Sequence, residues 1–198
     1  MASEEPTRQR MGVDLDTYHE FVEWVGDEPE EARLEFRARG ESEDVAARTA
    51  ASVGEWSLGG EEMGADREHE FSFGVPPEIE AEMGFSEPAD RIEAVETALS
   101  AVAACINATV AYNALRDGID VGDTETTVSL PVDTQVLFGH SDAFEDVVGD
   151  PEIEIEIDGT GLDDDEREKL AAYYRQSPVY GMLTHAHPNE PSVTVRGD

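Results

Sequence analysis

The chain has 198 residues, and its 47 acidic residues against 13 basic ones give a formal net charge of -34. This balance excludes the basic surface that nucleic acids require, so we expect no nucleic-acid partner. The hydrophobic fraction of 39% argues against intrinsic disorder. Because the acidic residues are spread along the whole chain, we interpret the acidic surface as adaptation to high salt, which screens the charges, and expect a halophilic source.

The sequence shows no targeting signal and no obvious membrane segment. No apolar run approaches the roughly 20 residues that span a bilayer. The N-terminal M-A-S-E-E-P lacks the basic and apolar regions of a signal peptide. The one cysteine, Cys105, cannot form an intrachain disulfide, which fits a reducing compartment. We therefore expect a cytoplasmic protein that does not contact a membrane.

The first part of the chain predicts a short helix followed by strands. Apolar residues at helical spacing predict an amphipathic helix over 14–25, within an N-terminal extension that covers 1–31. Apolar alternation then predicts three strands, at 32–39, 45–53 and 68–75. The glycine-rich stretch 54–65 predicts a loop, and 76–88 predicts an irregular connection.

The segment 90–118 predicts a long central helix. Asp90 and Glu93 have the spacing of a capping box, and Gly118 is a helix stop signal. Apolar residues recur between them at helical spacing, and alanines extend the apolar surface around most of the helix. A helix of this kind is buried, and its small residues indicate close packing against a sheet or a second copy of itself.

The second part of the chain predicts two strands, two helices and a closing strand. These lie at 124–136, 152–158, 163–176, 179–184 and 191–195. The E-I-E-I-E-I run in the second strand predicts inward isoleucines and a solvated face without a function. Strands grouped around a buried helix favour an α+β fold with mostly antiparallel sheet. No glycine-rich phosphate loop is present, and we expect no cofactor.

Two histidines, His185 and His187, have strand-like spacing and would offer two metal ligands. Nothing nearby completes a tetrahedral set at a recognisable spacing, so we expect no metal.

Three segments of the sequence stand out: A-L-S-A-V-A-A-C-I, R-D-G-I-D-V and S-P-V at 177–179. Together they resemble the OsmC/Ohr family of hydroperoxide-reducing proteins. The resemblance implies an OsmC-like domain over 32–198. Its implied fold is α+β, with mostly antiparallel curved sheets around long central helices in an intertwined homodimer. The implied activity is peroxidase chemistry on organic hydroperoxides, as part of an oxidative stress response.

The resemblance also implies roles for individual residues. The peroxidatic cysteine of the family corresponds to Cys105, whose thiolate would attack the O–O bond and become a sulfenic acid. The arginine that holds this thiolate is best matched by Arg67, with His69 nearby as a supporting residue. The alternatives are that Cys105 is an inert buried side chain and that Arg67 forms a surface ion pair with neighbouring acidic residues.

Two positions depart from the family pattern. Ser177 replaces the second cysteine, so no resolving disulfide can form; a serine here is also a good N-cap for the helix after it. The catalytic glutamate of the family falls on Val95. Glu96 is adjacent, but one residue along a helix is a rotation of about 100°, so Glu96 is only a supporting residue.

These departures lead to two hypotheses of different classes. The first is a single-cysteine peroxidase that an external thiol regenerates. The alternative is a non-catalytic OsmC-like dimer that binds a small apolar ligand.

Overall fold

The structure is a computed structural model that describes residues 9–141, 147–185 and 191–195. The chain divides into two compact units. The first comprises Met1–Ser100 and Ala114–Asp120, and the second comprises Ala101–Asn113 and Val121–Asp198. Helices and antiparallel strand pairs occur in both units, which confirms the predicted α+β class.

The first unit begins with a small hairpin and a helix. Strands β1 (Gln9–Arg10) and β2 (Val13–Asp14) pair antiparallel, and α1 (Leu15–Asp27) follows directly. The Asp14 side chain accepts a hydrogen bond of 2.8 Å from the backbone N–H of Thr17, which caps the helix. The predicted N-terminal helix is therefore confirmed.

An antiparallel sheet of four strands forms most of the first unit. Its strands are β3 (Leu34–Ser42), β4 (Thr49–Leu58), β5 (Glu61–Met63) and β6 (His69–Phe73), with β4 paired to each of the others. The predicted loop at 54–65 is wrong, because the second half of β4 and the whole of β5 lie within this range. Trp56 pairs with Phe36 on β3 and stacks on its ring at 6.0 Å between centroids.

The glycine in β4 has a structural reason. The β3–β4 register shifts between Phe36 and Ala38, which marks a bulge. A Cβ at Gly54 would lie 2.4 Å from the carbonyl oxygen of Arg67. Because glycine has no Cβ, the Arg67 backbone can approach β4 closely at Gly54. The strand continues past this glycine.

One face of this sheet is apolar and open. Directly paired residues lie on the same face, so Phe36, Trp56 and Met63 share it near one end, and Phe71 contributes at the other. Leu34 is 51% exposed and Phe36 69% exposed. A sheet face this apolar is normally covered in a folded protein.

A buried ion pair fixes the connection between the sheet and the central helix. The predicted irregular stretch 76–88 contains a short helix, α2 (Pro77–Glu82). Glu80 on this helix is fully buried, and the side chain of Arg48 is 10% exposed. Arg48 donates to both Glu80 oxygens, at 3.0 and 2.7 Å, and the backbone N–H of Ala89 donates to Glu80 at 2.8 Å. Hydrogen bonding to Arg48 holds the pKa of Glu80 below its ordinary value.

We expect Glu80→Gln to lower the melting temperature at neutral pH by roughly 10 °C, because it removes the carboxylate charge that is hydrogen-bonded to the buried Arg48 guanidinium. Glu82→Gln, at an exposed position on the same helix, is the matched control and should melt like the original protein.

The pH dependence provides a second readout of this ion pair. Because folding lowers the Glu80 pKa, its stabilising effect is present above the ordinary value of 4.5 and is lost as the pH falls through the folded-state pKa. Melting curves of the original protein and Glu80→Gln should therefore converge in acid. A difference that stays constant down to acidic pH would contradict the prediction.

The central helix, α3, runs over Ala94–Asp117. Gly118 ends it in the left-handed conformation, with φ of 73°, as predicted. The predicted capping box is present, but its residues are Glu93 and Glu96 and not Asp90 and Glu93. The helix therefore begins one turn later than the sequence spacing suggested.

Only one side of α3 is buried in the single chain. Val102, Ile106 and Val110 are at most 1% exposed, whereas Ala101 and Ala104 are exposed. The helix is long and apolar enough to cross a membrane by length and composition, contrary to the expectation from sequence. One such helix is weak evidence for a span, since the core helix of a soluble protein passes the same test.

The second unit contains an antiparallel strand pair and further helices. Strands β7 (Thr124–Ser129) and β8 (Glu152–Ile157) pair along their full length. The helices are α4 (Thr134–Leu137), α5 (Asp164–Tyr173) and α6 (Pro178–Thr184), with a 3₁₀ turn at Tyr174–Gln176 after α5.

The structure corrects three predictions in this unit. The predicted strand at 124–136 ends at Ser129, before Pro131, and α4 occupies part of the remainder. The predicted helix 163–176 divides into α5 and the 3₁₀ turn. The closing strand predicted at 191–195 is absent: these described residues form no strand, and Val193 and Val195 are exposed.

Candidate functional site

Cys105 lies near the middle of α3 and is half-buried. Residues three or four positions apart share a helix face, so Ala101, Ala108 and Tyr112 lie on the same face as Cys105. The helix has no charged residue from Thr97 to Leu115. The thiol therefore belongs to an uncharged face made largely of small side chains, on a residue that the single chain covers only in part.

Ser177 lies at the N-terminus of α6 and is 2% exposed. Its Oγ accepts a hydrogen bond of 3.3 Å from the backbone N–H of Tyr180, and Pro178 occupies the first helical position. The N-cap interpretation is therefore confirmed. Cys105 and Ser177 both lie in the second unit, and the structure shows no hydrogen bond between them.

The other predicted site residues lie in the first unit, each in its own setting. Arg67 is exposed, and its Nη1 donates a hydrogen bond of 2.9 Å to the carbonyl oxygen of Gly54. Among the described residues Arg67 has no carboxylate partner, so the alternative of a surface ion pair with a neighbouring acidic residue is wrong. His69 is the exposed first residue of β6. The Glu96 side chain accepts a hydrogen bond of 3.0 Å from the backbone N–H of Glu93 and is therefore part of the helix cap.

The predicted histidine pair is only partly described. His185 follows α6, and its Nδ1 lies 3.0 Å from the carbonyl oxygen of Gly181. His187 is outside the described residues. Within the described ranges, no cluster of three or more His, Cys, Asp or Glu side chains is arranged to hold a metal ion.

A cavity of about 990 Å³ lies in the second unit, and sequence reasoning missed it. Its apolar lining comes from α3, β8 and α5, and its polar lining includes Arg167, Tyr174 and Tyr180. The inward isoleucines of β8 were predicted correctly, but as core residues without a function. The signal available in the sequence was the alternation in β8.

Comparison with known proteins places the chain in a family. A sequence profile described as OsmC-like protein matches residues 87–191, which is more than half of the chain and includes Cys105 and Ser177. The chain therefore belongs to the OsmC-like family. No curated protein matches it significantly.

Solved structures of the family are similar to this chain, and the one from Mycoplasma pneumoniae shares its fold. An OsmC-like protein from Mycoplasma pneumoniae is 13% identical with a TM-score of 0.52, over 75% of this chain and 86% of that one. An organic hydroperoxide resistance protein from Elizabethkingia anophelis is 14% identical, with a TM-score of 0.48 over 75% and 86%. The organic hydroperoxide resistance protein OhrB of Bacillus subtilis is 15% identical, with a TM-score of 0.45 over 75% and 89%. At this identity the likeness extends to the fold alone.

Proposed function

We propose that this protein reduces organic hydroperoxides through Cys105 and that an external thiol regenerates it. The observation that carries the proposal is the half-buried Cys105 on the uncharged face of α3, within the segment that matches the family. A thiol enclosed in the core would be inert. Cys105 is half-buried between the exposed Ala101 and the buried Val102, at the edge of the exposed stripe of α3, so a second copy packed on that stripe can leave the thiol open to a substrate with an apolar body. The activity test, cumene hydroperoxide consumption with and without Cys105, is the first subject of the Discussion.

The proposed reaction is balanced with one cysteine. The Cys105 thiolate attacks one oxygen of the hydroperoxide, the O–O bond breaks, and the alkoxide takes a proton and leaves as an alcohol. Cys105 is left as a sulfenic acid. A first external thiol displaces water and forms a mixed disulfide, and a second releases Cys105 as a thiol together with the external disulfide.

Arg67 is proposed as the residue that stabilises the thiolate, with Ser177, His69 and Glu96 as supporting residues. The absence of a carboxylate partner for Arg67 among the described residues supports this role, because its guanidinium charge is not already neutralised. The Glu96 side chain already accepts a hydrogen bond from the Glu93 backbone N–H, so its role as a supporting residue has the weakest support.

We also propose that the protein acts as a homodimer in a salt-rich cytoplasm. The uncovered alanine face of α3 and the open apolar face of the β3–β6 sheet support a second copy as partner, because both surfaces are costly to leave in water. The net charge of -34 supports a high-salt environment.

We expect Ser177→Cys to convert the protein to a two-cysteine enzyme if Ser177 stands where the family has its resolving cysteine. After one equivalent of cumene hydroperoxide, mass spectrometry should then find a disulfide between Cys105 and the introduced thiol, two hydrogens lighter than the reduced protein, in place of a sulfenic acid. Ser100→Cys, which places a thiol on α3 itself, is the control and should form none. Sulfenic acid without a disulfide in Ser177→Cys would contradict the correspondence.

A second function, binding of a small apolar ligand without catalysis, is favoured by the cavity of the second unit. Ligand sites are typically concave and mostly apolar with a few polar groups, in volumes of about 300–1,000 Å³. The cavity has this composition and a volume of about 990 Å³.

A further inference from the structure

We propose that the cavity of the second unit binds an amphiphile with an apolar chain and a carboxylate head, and that Arg167 holds the head. The inference rests on the second of the two proposed functions, since it names the class of ligand. The cavity lining does not include Cys105, so binding does not depend on the thiol.

The apolar wall of the cavity is long and straight. Ile153, Ile155 and Ile157 alternate along β8 and therefore project from one face of the strand, and all three line the cavity. At about 3.3 Å per residue, this row spans about 13 Å. Leu170 on α5 and Val110 on α3 add to the apolar surface. A row of this length favours an extended alkyl chain over a compact ligand.

Arg167 is the positively charged residue that lines the cavity. Seven of the ten arginines that the structure describes form an ion pair with a carboxylate. Arg167 forms none within the described part of the chain, although the protein has 47 acidic residues. Within those same residues, its Nη2 donates one long hydrogen bond, 3.3 Å, to the carbonyl oxygen of Gly159. The guanidinium therefore keeps N–H groups that can bind a carboxylate through two hydrogen bonds.

A second charged group in the cavity lies one residue before the Gly159 carbonyl that Arg167 contacts. Asp158 lines the cavity, and one of its oxygens accepts from the Thr160 backbone N–H at 2.9 Å and from the Thr160 hydroxyl at 2.6 Å. These bonds lower the pKa of Asp158, so it is ionised at neutral pH. Its negative charge disfavours a carboxylate beside it. The charge of Arg167 attracts an anionic head, so the head is expected there and the chain along the isoleucines.

The test measures binding of decanoate and of decanol by isothermal titration calorimetry, in molar KCl and below the concentration at which either aggregates. Arg167→Met should weaken decanoate binding about tenfold or more and leave decanol binding unchanged. Lys169→Met removes the same charge from the same helix, at an exposed position outside the cavity lining. It should bind both ligands as the original protein does, and so should Cys105→Ser.

A filled cavity gives an independent readout. Ala171 is an exposed residue of α5 that lines the cavity, so Ala171→Phe should block both ligands while the thermal melt shows that the protein stays folded. Binding of decanoate to Ala171→Phe with unchanged affinity would overturn the proposed location of the ligand. Loss of binding in Cys105→Ser would indicate that the ligand binds at the thiol instead.

The two proposals fail differently. Equal binding of decanol and decanoate, unaffected by Arg167→Met, overturns the carboxylate head and leaves the apolar-ligand function standing. No binding of either ligand to the original protein overturns both.

Discussion

Replacement of Cys105 by serine is expected to reduce the consumption of cumene hydroperoxide by roughly 10³-fold or more, to the rate without protein. A serine hydroxyl is not ionised at neutral pH, and it cannot pass through the sulfenic acid that carries the oxidising equivalent to the external thiol. The loss should be of turnover itself, because the reacting atom is removed.

The assay should run in molar KCl with excess dithiothreitol, so that charge repulsion within the chain is screened and the reductant is not limiting. Ala104→Ser, which makes a small change next to Cys105 on α3, is the matched control and should retain turnover. Hydrogen peroxide as a second substrate tests the preference for an apolar body, and dimedone should label Cys105 only in protein that has met the hydroperoxide.

Two outcomes would decide against this function. Turnover that persists in Cys105→Ser would place the chemistry elsewhere. Absence of both turnover and dimedone labelling in the original protein would identify a family member without the chemistry of the family, and the apolar-ligand function would then take precedence.

Sequence reasoning succeeded where the signal was local. The strand β8 and the helix α6 follow from a strict alternation and from Ser177 with Pro178, and both lie where the pattern predicted them. The long helix α3 was also predicted. Its start was predicted one turn too early, because Asp90 and Glu93 have the same spacing as Glu93 and Glu96. Only the backbone conformation distinguishes the two pairs.

The errors came from contacts between distant parts of the chain. The second half of β4, from Gly54 onward, was taken for a loop because its glycine and serine residues weaken the alternation; pairing with β3 and β5 stabilises it nonetheless. The Arg48–Glu80 pair joins residues 32 positions apart, and neither position has a motif. The cavity is likewise formed by three separate segments, so no single stretch could predict it.

The second large effect is expected at the uncovered face of α3. Ala101 is exposed in the single chain and shares a face with Cys105, so a glutamate there costs little in a monomer. In a homodimer whose central helices pack face to face, the same glutamate would be buried opposite the glutamate of the other copy. Desolvation and charge repulsion would then destabilise the dimer, because an interface of small residues offers no partner for either carboxylate. We therefore expect Ala101→Glu to dissociate the dimer.

Light scattering coupled to size exclusion in molar KCl would measure this directly. The original protein should have twice the chain mass of 21.6 kDa, and Ala101→Glu should have the single-chain mass at the same concentration. Ala101→Ser keeps the residue small, and Thr127→Glu adds a charge at an exposed position of β7; both should remain dimeric. A dimer that survives Ala101→Glu would place the interface on another surface, and the open face of the β3–β6 sheet would become the surface to test, because Phe36 and Leu34 are otherwise left in water.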